Sequence, residues 1–131
     1  MDIYLDENLS EYVAEAMNFL NKGYFTDVQV YSTKTKIGRG VSDENIIERL
    51  GDSDSILITR DLSIQKTRLQ FELCSKYDLG MFFLALPKNE NKHWEIVKLL
   101  INHWEEINIK IQNEKKPFAY RITKRGKMEK L

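Results

Sequence analysis

The feature that most constrains this chain is a regular alternation of short apolar segments with amphipathic helical segments. The apolar segments have the length of β-strands, and the stretches between them carry apolar residues at helical spacing. These strand-like segments begin at Asp2, Val28, Ser55, Met81 and Phe118. The alternation is typical of an α/β fold with a mostly parallel sheet and right-handed crossovers. Because 131 residues are enough for one core, we expect a single domain over residues 1–131.

The segments between the strands begin with clear helix signals. Ser10 and Ser42 are good N-caps, and each is followed by acidic residues that favour the positive end of the helix dipole. A helix over residues 64–78 is predicted to turn Leu69 and Leu73 inward. In the last helix, four residues recur at helical spacing and are predicted to face the core: Trp94, Val97, Ile101 and Trp104.

Two stretches rich in glycine or basic residues are predicted to connect one strand or helix to the next. A basic loop containing Lys34, Lys36 and Arg39 follows the second strand. Near the C-terminus, alternating residues from Phe118 onward predict a strand, and Arg125-Gly126 is predicted to turn the chain back. We therefore expect a C-terminal β-hairpin or strand.

Charge is distributed unevenly along a chain whose formal net charge is zero. Residues 1–114 contain 13 Lys and Arg against 19 Asp and Glu, while residues 115–131 contain seven against one. The basic C-terminal segment 115–131 either pairs with the acidic body, holds a polyanion near it, or is a solvated tail. Charge alone favours the solvated tail.

The sequence shows no sign of export or of membrane insertion. The N-terminal segment carries three acids and no basic residues before its short apolar run, so it does not predict a signal peptide. No apolar stretch has the length of a membrane span, and the single cysteine, Cys74, excludes an intrachain disulfide. We expect Cys74 to be buried and the protein to be cytoplasmic, without a membrane partner.

Three aspartates are predicted to meet at one edge of the sheet. Asp6 ends the first strand, Asp61 follows the third, and Asp43 begins the helix that leads into the third strand. Functional sites of parallel sheets gather at the carboxyl ends of the strands. Carboxylates placed together repel one another unless a cation lies among them, and Mg²⁺ and Mn²⁺ prefer such oxygen ligands. The set therefore suits metal-assisted hydrolysis of a phosphodiester.

Each of these acids also has a purely structural interpretation. An acid in the first turn of a helix, such as Asp43, stabilises the helix dipole whether or not it binds a metal ion. Asp6 and Asp61 are equally compatible with capping their own loops. Four polar neighbours either support the carboxylates or only face solvent and cap local turns: Glu7, Asn8, Glu44 and Thr59.

Three segments resemble the acidic motifs of PIN-domain and PIN-like ribonucleases. They are Ile3-Tyr-Leu-Asp-Glu-Asn-Leu, Ser42-Asp-Glu-Asn-Ile-Ile and Ile56-Leu-Ile-Thr-Arg-Asp. The chain resembles the compact PIN-like branch, which is related to VapC-type toxins, because residues 24–41 leave no room for the helical pair that supplies another acid in longer PIN domains. The segment after Asp61, Leu-Ser-Ile, also departs from the family pattern.

The resemblance implies a three-layer α/β/α PIN-like sandwich with Asp6, Asp43 and Asp61 as catalytic metal ligands. It also implies Mg²⁺ or Mn²⁺ as cofactor, an endoribonuclease activity, and a role as the toxin of a toxin–antitoxin pair, with an antitoxin protein as partner. A homodimer is one assembly compatible with the sequence, which does not itself define the oligomer. Phosphate contacts require cations around the acidic centre. The candidates for RNA binding are Arg39, Arg60, Lys66, Arg68, Lys124, Arg125 and Lys127.

Two other functions compete with this interpretation. The departures from the family pattern favour a PIN-like module that has lost its chemistry and binds RNA or protein. A receiver-like or phosphatase-like domain with an aspartyl phosphoacceptor fits less well. Asp6-Glu-Asn does not match the strand-end Asp-x-Asp of a phosphatase, and the strand ending at Pro87-Lys88 does not cleanly match the strand-end lysine of a receiver.

Overall fold

The fold is one six-stranded sheet with helices on both faces. A computed structural model describes residues 1–131. The strands are β1 (Asp2–Leu5), β2 (Gln29–Ser32), β3 (Ser55–Arg60), β4 (Gly80–Ala85), β5 (Phe118–Thr123) and β6 (Met128–Lys130). The helices are α1 (Glu11–Lys22), α2 (Thr33–Lys36), α3 (Asp43–Gly51), α4 (Ile64–Lys76) and α5 (His93–Asn113), with a 3₁₀ turn at Lys88–Glu90.

The strand order is β2-β1-β3-β4-β5-β6. All neighbouring pairs are parallel except β5 and β6, which form the expected antiparallel hairpin. Gly126 lies in the turn between them at φ 95°, a backbone conformation that favours glycine. The predicted mostly parallel α/β sandwich with a C-terminal hairpin is therefore confirmed.

Two hydrophobic cores lie on opposite faces of the sheet. Helices α1 and α5 cover one face, where Ile58 and Phe82 are fully buried. Helices α3 and α4 cover the other face, where Leu57 and Phe83 are buried. Because side chains alternate between faces along a strand, each buried strand contributes to both cores. The layer formed by α3 and α4 includes Asp43 and contacts Asp61, two of the predicted acidic residues.

The inward face of α4 differs from the prediction. Leu69 is 59% exposed, whereas Thr67, Gln70 and Cys74 are buried. These three residues lie at i, i+3 and i+7, so they share one face of the helix. The prediction followed the leucines and was wrong for Leu69, because two polar side chains on the true inward face find partners there. The predicted burial of Cys74 is confirmed.

The core-facing stripe of α5 is also rotated from the predicted one. Trp104 is buried and Val97 is partly buried, but Trp94 is 67% exposed and Ile101 is 50% exposed. The buried face contains Leu100 and the residues that follow it at helical spacing. Periodicity alone did not distinguish these two overlapping stripes, because apolar residues occur on both sides of this helix.

Two connecting segments contain more structure than the sequence predicts. Part of the expected basic loop forms the one-turn helix α2, because the Ser32 side chain accepts a hydrogen bond from the Lys34 N–H and caps it. The basic segment 115–131 is not a solvated tail, since most of it forms β5 and β6. No helix is both long enough and apolar enough to span a bilayer.

Candidate functional site

The candidate site lies at the carboxyl ends of neighbouring parallel strands. Asp6 follows β1 and Asp61 follows β3, and these two strands are paired in the sheet. The Asp6 N–H donates to the Ile58 carbonyl of β3, and the Asp61 N–H donates to the Leu84 carbonyl of β4, each at 2.9 Å. Sheet hydrogen bonds therefore fix the backbone at both acids.

Asp6 is buried and carries three hydrogen bonds. Its Oδ2 accepts from the Thr59 hydroxyl at 2.5 Å and from the Asn8 amide at 3.2 Å, while its Oδ1 accepts from the Glu7 N–H at 2.6 Å. The residue is only 5% exposed, so these donors replace the water that the carboxylate loses on burial. The predicted supporting residues Asn8 and Thr59 do contact Asp6.

Asp61 is held from two sides. The Thr67 hydroxyl of α4 donates to its Oδ1 at 2.6 Å, and Nε of Arg121 on β5 donates to its Oδ2 at 2.7 Å. The carboxylate and guanidinium form a salt bridge in which the Asp61 side chain is 15% exposed and the Arg121 side chain 32%. Both oxygens of Asp61 are therefore engaged, one of them by a cation.

Asp43 begins α3 and contacts α4. Its Oδ2 accepts from the Gln70 amide at 3.3 Å and lies 3.8 Å from the Lys66 ammonium. Gln70 is buried, and its Oε1 has no hydrogen-bond partner, so it retains acceptor capacity next to Asp43. Lys66, predicted to bind RNA, here neutralises one of the predicted metal ligands.

Three residues of this network were missed by the sequence analysis. Thr67 and Gln70 lie one turn apart on α4 and connect that helix to Asp61 and Asp43 respectively. One sequence signal could have identified these two residues. They are polar residues at i and i+3 in a helix with few inward apolar residues. Arg121 was counted only as part of the basic segment, and no local pattern indicates its contact with Asp61, sixty residues earlier.

The side chains of the two predicted supporting glutamates do not contact the aspartate carboxylates, and Glu7 reaches Asp6 only through its backbone N–H. Glu7 accepts a hydrogen bond from the Gly40 N–H at 2.9 Å and so connects the turn after β1 to the loop before α3. Glu44 is exposed and contacts Tyr77 and Lys76 at the other end of α4. Glu7 therefore supports the local loops, and Glu44 supports the packing of α3 on α4.

The arrangement does not fit a bound divalent ion. Carboxylate and amide oxygens are the donors that Mg²⁺ and Mn²⁺ prefer. However, no group of three or more His, Cys, Asp or Glu residues is placed to hold a metal ion. Asp6, Asp43 and Asp61 are each bonded to their own neighbours, and Arg121 and Lys66 supply positive charge to Asp61 and Asp43.

A cleft of about 1000 Å³ opens beside Asp61 at the ends of β3, β4 and β5. Its lining includes four cations against two acids, which are Asp61 and Glu90. Lys124 pairs with Glu90 at 2.8 Å, whereas Arg125 is exposed and forms none of the salt bridges. The cationic lining residues are Arg60, Lys88, Lys124 and Arg125.

The predicted RNA-binding residues do not form one surface. Arg60, Lys124 and Arg125 line the cleft, while Lys66 contacts Asp43. Arg39 pairs at 3.3 Å with Glu11, the first residue of α1, and does not line the cleft. Arg68 and Lys127 are exposed and do not line the cleft.

The fold and the site together define a class of α/β proteins in which acidic side chains gather where parallel strands end. A family model described as a PIN-like domain matches residues 1–86, which include β1 to β4 and all three aspartates. The chain therefore belongs to the PIN-like domain family. Proteins with such domains are commonly nucleases. No curated protein and no solved structure matches the chain.

Proposed function

We propose that the protein is an endoribonuclease that hydrolyses RNA phosphodiesters at the carboxyl ends of β1 and β3. The observation that carries the proposal is the placement of Asp6 and Asp61 on paired strands of a PIN-like domain, both with backbones fixed by the sheet. Carboxylates held in fixed positions suit a catalytic site, where groups must be preorganised around the charge that develops in the transition state.

The cationic cleft supports a polyanionic substrate. It begins at Asp61 and carries an excess of two positive charges from its lining residues. A strand of RNA bound there would place phosphates on cations and bring the backbone next to Asp61. A small neutral substrate would not require this excess of positive charge in the cleft.

We further propose that the activity requires Mg²⁺ or Mn²⁺. Support comes from the donor chemistry of Asp6, Asp43 and Asp61, which are hard oxygen ligands on elements of the matched family region. Their present hydrogen bonds must loosen before an ion can bind. The catalytic and metal-binding roles of the three aspartates remain predictions.

Cleavage of a labelled RNA pool tests the proposal. Full-length protein is incubated with RNA and with DNA of the same sequences, in Mn²⁺, in Mg²⁺ and in EDTA. We expect RNA fragments with either ion and intact RNA in EDTA. Asp6→Asn, purified in the same way, controls for a contaminating nuclease. RNA that stays intact with the wild type under every condition refutes the proposed activity.

The cationic lining of the cleft leads to a separate prediction about the affinity for RNA. Arg125→Gln should weaken RNA binding and reduce the salt slope by about one, because one phosphate contact is lost. Arg49→Gln, which removes the same charge from an exposed position at the end of α3, should leave both unchanged. Fluorescence anisotropy at several salt concentrations measures the effect. Equal slopes in wild type and Arg125→Gln would exclude this residue from the RNA path.

One observation favours a second function. Because Arg121 and Lys66 already neutralise Asp61 and Asp43, the domain is also suited to binding RNA or protein without chemistry. RNA binding that persists together with absent cleavage in every ion would favour this module over the nuclease.

The biological setting is a further part of the proposal. By analogy with the compact PIN-like branch, we propose the toxin of a toxin–antitoxin pair, with an antitoxin protein as partner, a homodimer as assembly and the cytoplasm as location. The support for this setting is the match to the PIN-like family. Growth arrest on expression, relieved by the product of a neighbouring gene, is the expected result.

A further inference from the structure

Trp94 is an aromatic side chain that the hydrophobic core does not use. It is the second residue of α5, the helix that follows the connection after β4. Trp94 is 67% exposed, whereas Trp104, on the same helix, is buried. Its position therefore leaves a large aromatic surface open at the start of α5, close to the carboxyl end of β4.

A small pocket connects this aromatic surface with the cationic cleft. The rings of His93 and Trp94 meet edge to face, with their centroids 5.0 Å apart. His93 and Asn8 line a pocket of about 170 Å³, and two further residues of its lining, Arg60 and Asn91, also line the cleft. A strand that occupies the cleft can therefore continue past Arg60 to the aromatic pair.

Unpaired cations flank the aromatic pair. Lys88 and Lys92 are exposed and form none of the salt bridges of the structure. Lys92 precedes Trp94 by two residues, and Lys88 lines the cleft. Proteins that bind single-stranded nucleic acids combine cations along the backbone with aromatic rings on which bases stack. In a duplex the bases already stack on one another, so this combination favours a single strand.

We propose that His93 and Trp94 form a base-binding subsite, in which an unpaired RNA base stacks on the Trp94 ring while neighbouring phosphates contact Lys92 and Arg60. The inference rests on the proposed function, because it extends the path of the RNA beyond the cleft. The helix α5 lies outside the matched residues 1–86, so the subsite belongs to this chain's own C-terminal part. Trp94 then determines which RNA binds and takes no part in the chemistry.

Fluorescence anisotropy of the full-length protein in EDTA, which prevents metal-dependent cleavage, tests the subsite. The probes are a labelled RNA without self-complementarity and the same RNA annealed to its complement. Trp94→Ala should weaken binding of the single strand on the order of tenfold, and Trp94→Phe should retain most of the affinity because it keeps an aromatic ring. Tyr24→Ala removes another exposed aromatic ring, before β2 at the opposite ends of the strands, and should bind as wild type does.

Intrinsic tryptophan fluorescence provides a readout that a purely structural role of Trp94 would not change. The chain has two tryptophans, and only Trp94 is exposed to a ligand. A base that stacks on Trp94 should quench the emission of the wild type on addition of the single strand. In Trp94→Phe the remaining emission comes from Trp104 and should not be quenched. Quenching of equal extent in Trp94→Phe overturns the stacking.

The outcomes separate this inference from the proposed function. Equal single-strand affinity in wild type and Trp94→Ala overturns the subsite but leaves the nuclease intact. An equal loss of affinity for the single strand and for the duplex in Trp94→Ala also overturns it, because a paired base cannot stack on the ring. Weaker single-strand binding in Trp94→Ala, with no RNA cleavage by the wild type in any ion, supports the subsite and refutes the nuclease.

Discussion

The hydrogen bond from Thr59 to Asp6 allows a specific prediction about the free energy of unfolding. The Thr59 hydroxyl is 2.5 Å from the Asp6 carboxylate, and the two residues are 1% and 5% exposed. Thr59→Val removes the donor and nearly preserves the shape of the side chain. Water has little access to this position, so it cannot replace the lost donor.

The expected loss follows from the contacts that remain. Hydrogen bonds to charged groups are worth about 1.5–3 kcal/mol, and Asp6 keeps its bonds from Glu7 and Asn8, so we expect the free energy of unfolding to fall by about 2 kcal/mol. With a urea slope of about 2 kcal/mol per molar, the midpoint should shift by about 1 M.

Urea denaturation followed by circular dichroism measures this loss. Thr26→Val is the matched control, because Thr26 is exposed and its side chain forms no hydrogen bond. That change should stay within about 0.5 kcal/mol of wild type. If Thr59→Val costs no more than Thr26→Val, the buried carboxylate does not depend on this donor and the described geometry of the site is wrong.

Two further predictions concern buried ionisable groups. Burial raises the pKa of the Cys74 thiol to about 12, so native protein should not react with Ellman's reagent at pH 8 but should react fully in urea; reaction without denaturant would contradict this. Burial and the hydrogen bond to Glu114 raise the pKa of Tyr120 to about 12 from 10.0. The stability supplied by its proton is therefore present below pH 10 and lost as the pH rises toward 12. A difference titration against Tyr120→Phe should show the phenolate forming near pH 12, and formation near pH 10 would refute it.

The order of strands and helices could be predicted because it depends on local patterns. Capping serines, strand-length apolar runs and the turn at Gly126 each act over a few residues, and the structure confirms them. The inward faces of α4 and α5 were harder to predict. They depend on how each helix lies on the sheet, and for Leu69 and Trp94 tertiary packing decided against the apolar pattern.

The acids of the candidate site could be located from sequence, but their partners could not. Asp6 and Asp61 end strands, which is a local property, and parallel pairing places both at one edge. The contact of Asp61 with Arg121 depends on β5 lying beside β4, which no short pattern encodes. Sequence analysis therefore located the carboxylates and missed the cation that neutralises one of them.

The most direct test of the central claim is the single-turnover cleavage rate of one defined RNA by Asp6→Asn at saturating Mn²⁺. Asp27→Asn, which changes an exposed acid just before β2 and away from the carboxyl ends of the strands, is the control. If the carboxylates after β1 and β3 perform the cleavage, Asp6→Asn should lose on the order of 100-fold or more in rate, as expected for a group acting on the transition state, while Asp27→Asn cleaves as wild type does. A rate in Asp6→Asn within threefold of wild type, with the fold intact by circular dichroism, would contradict the account.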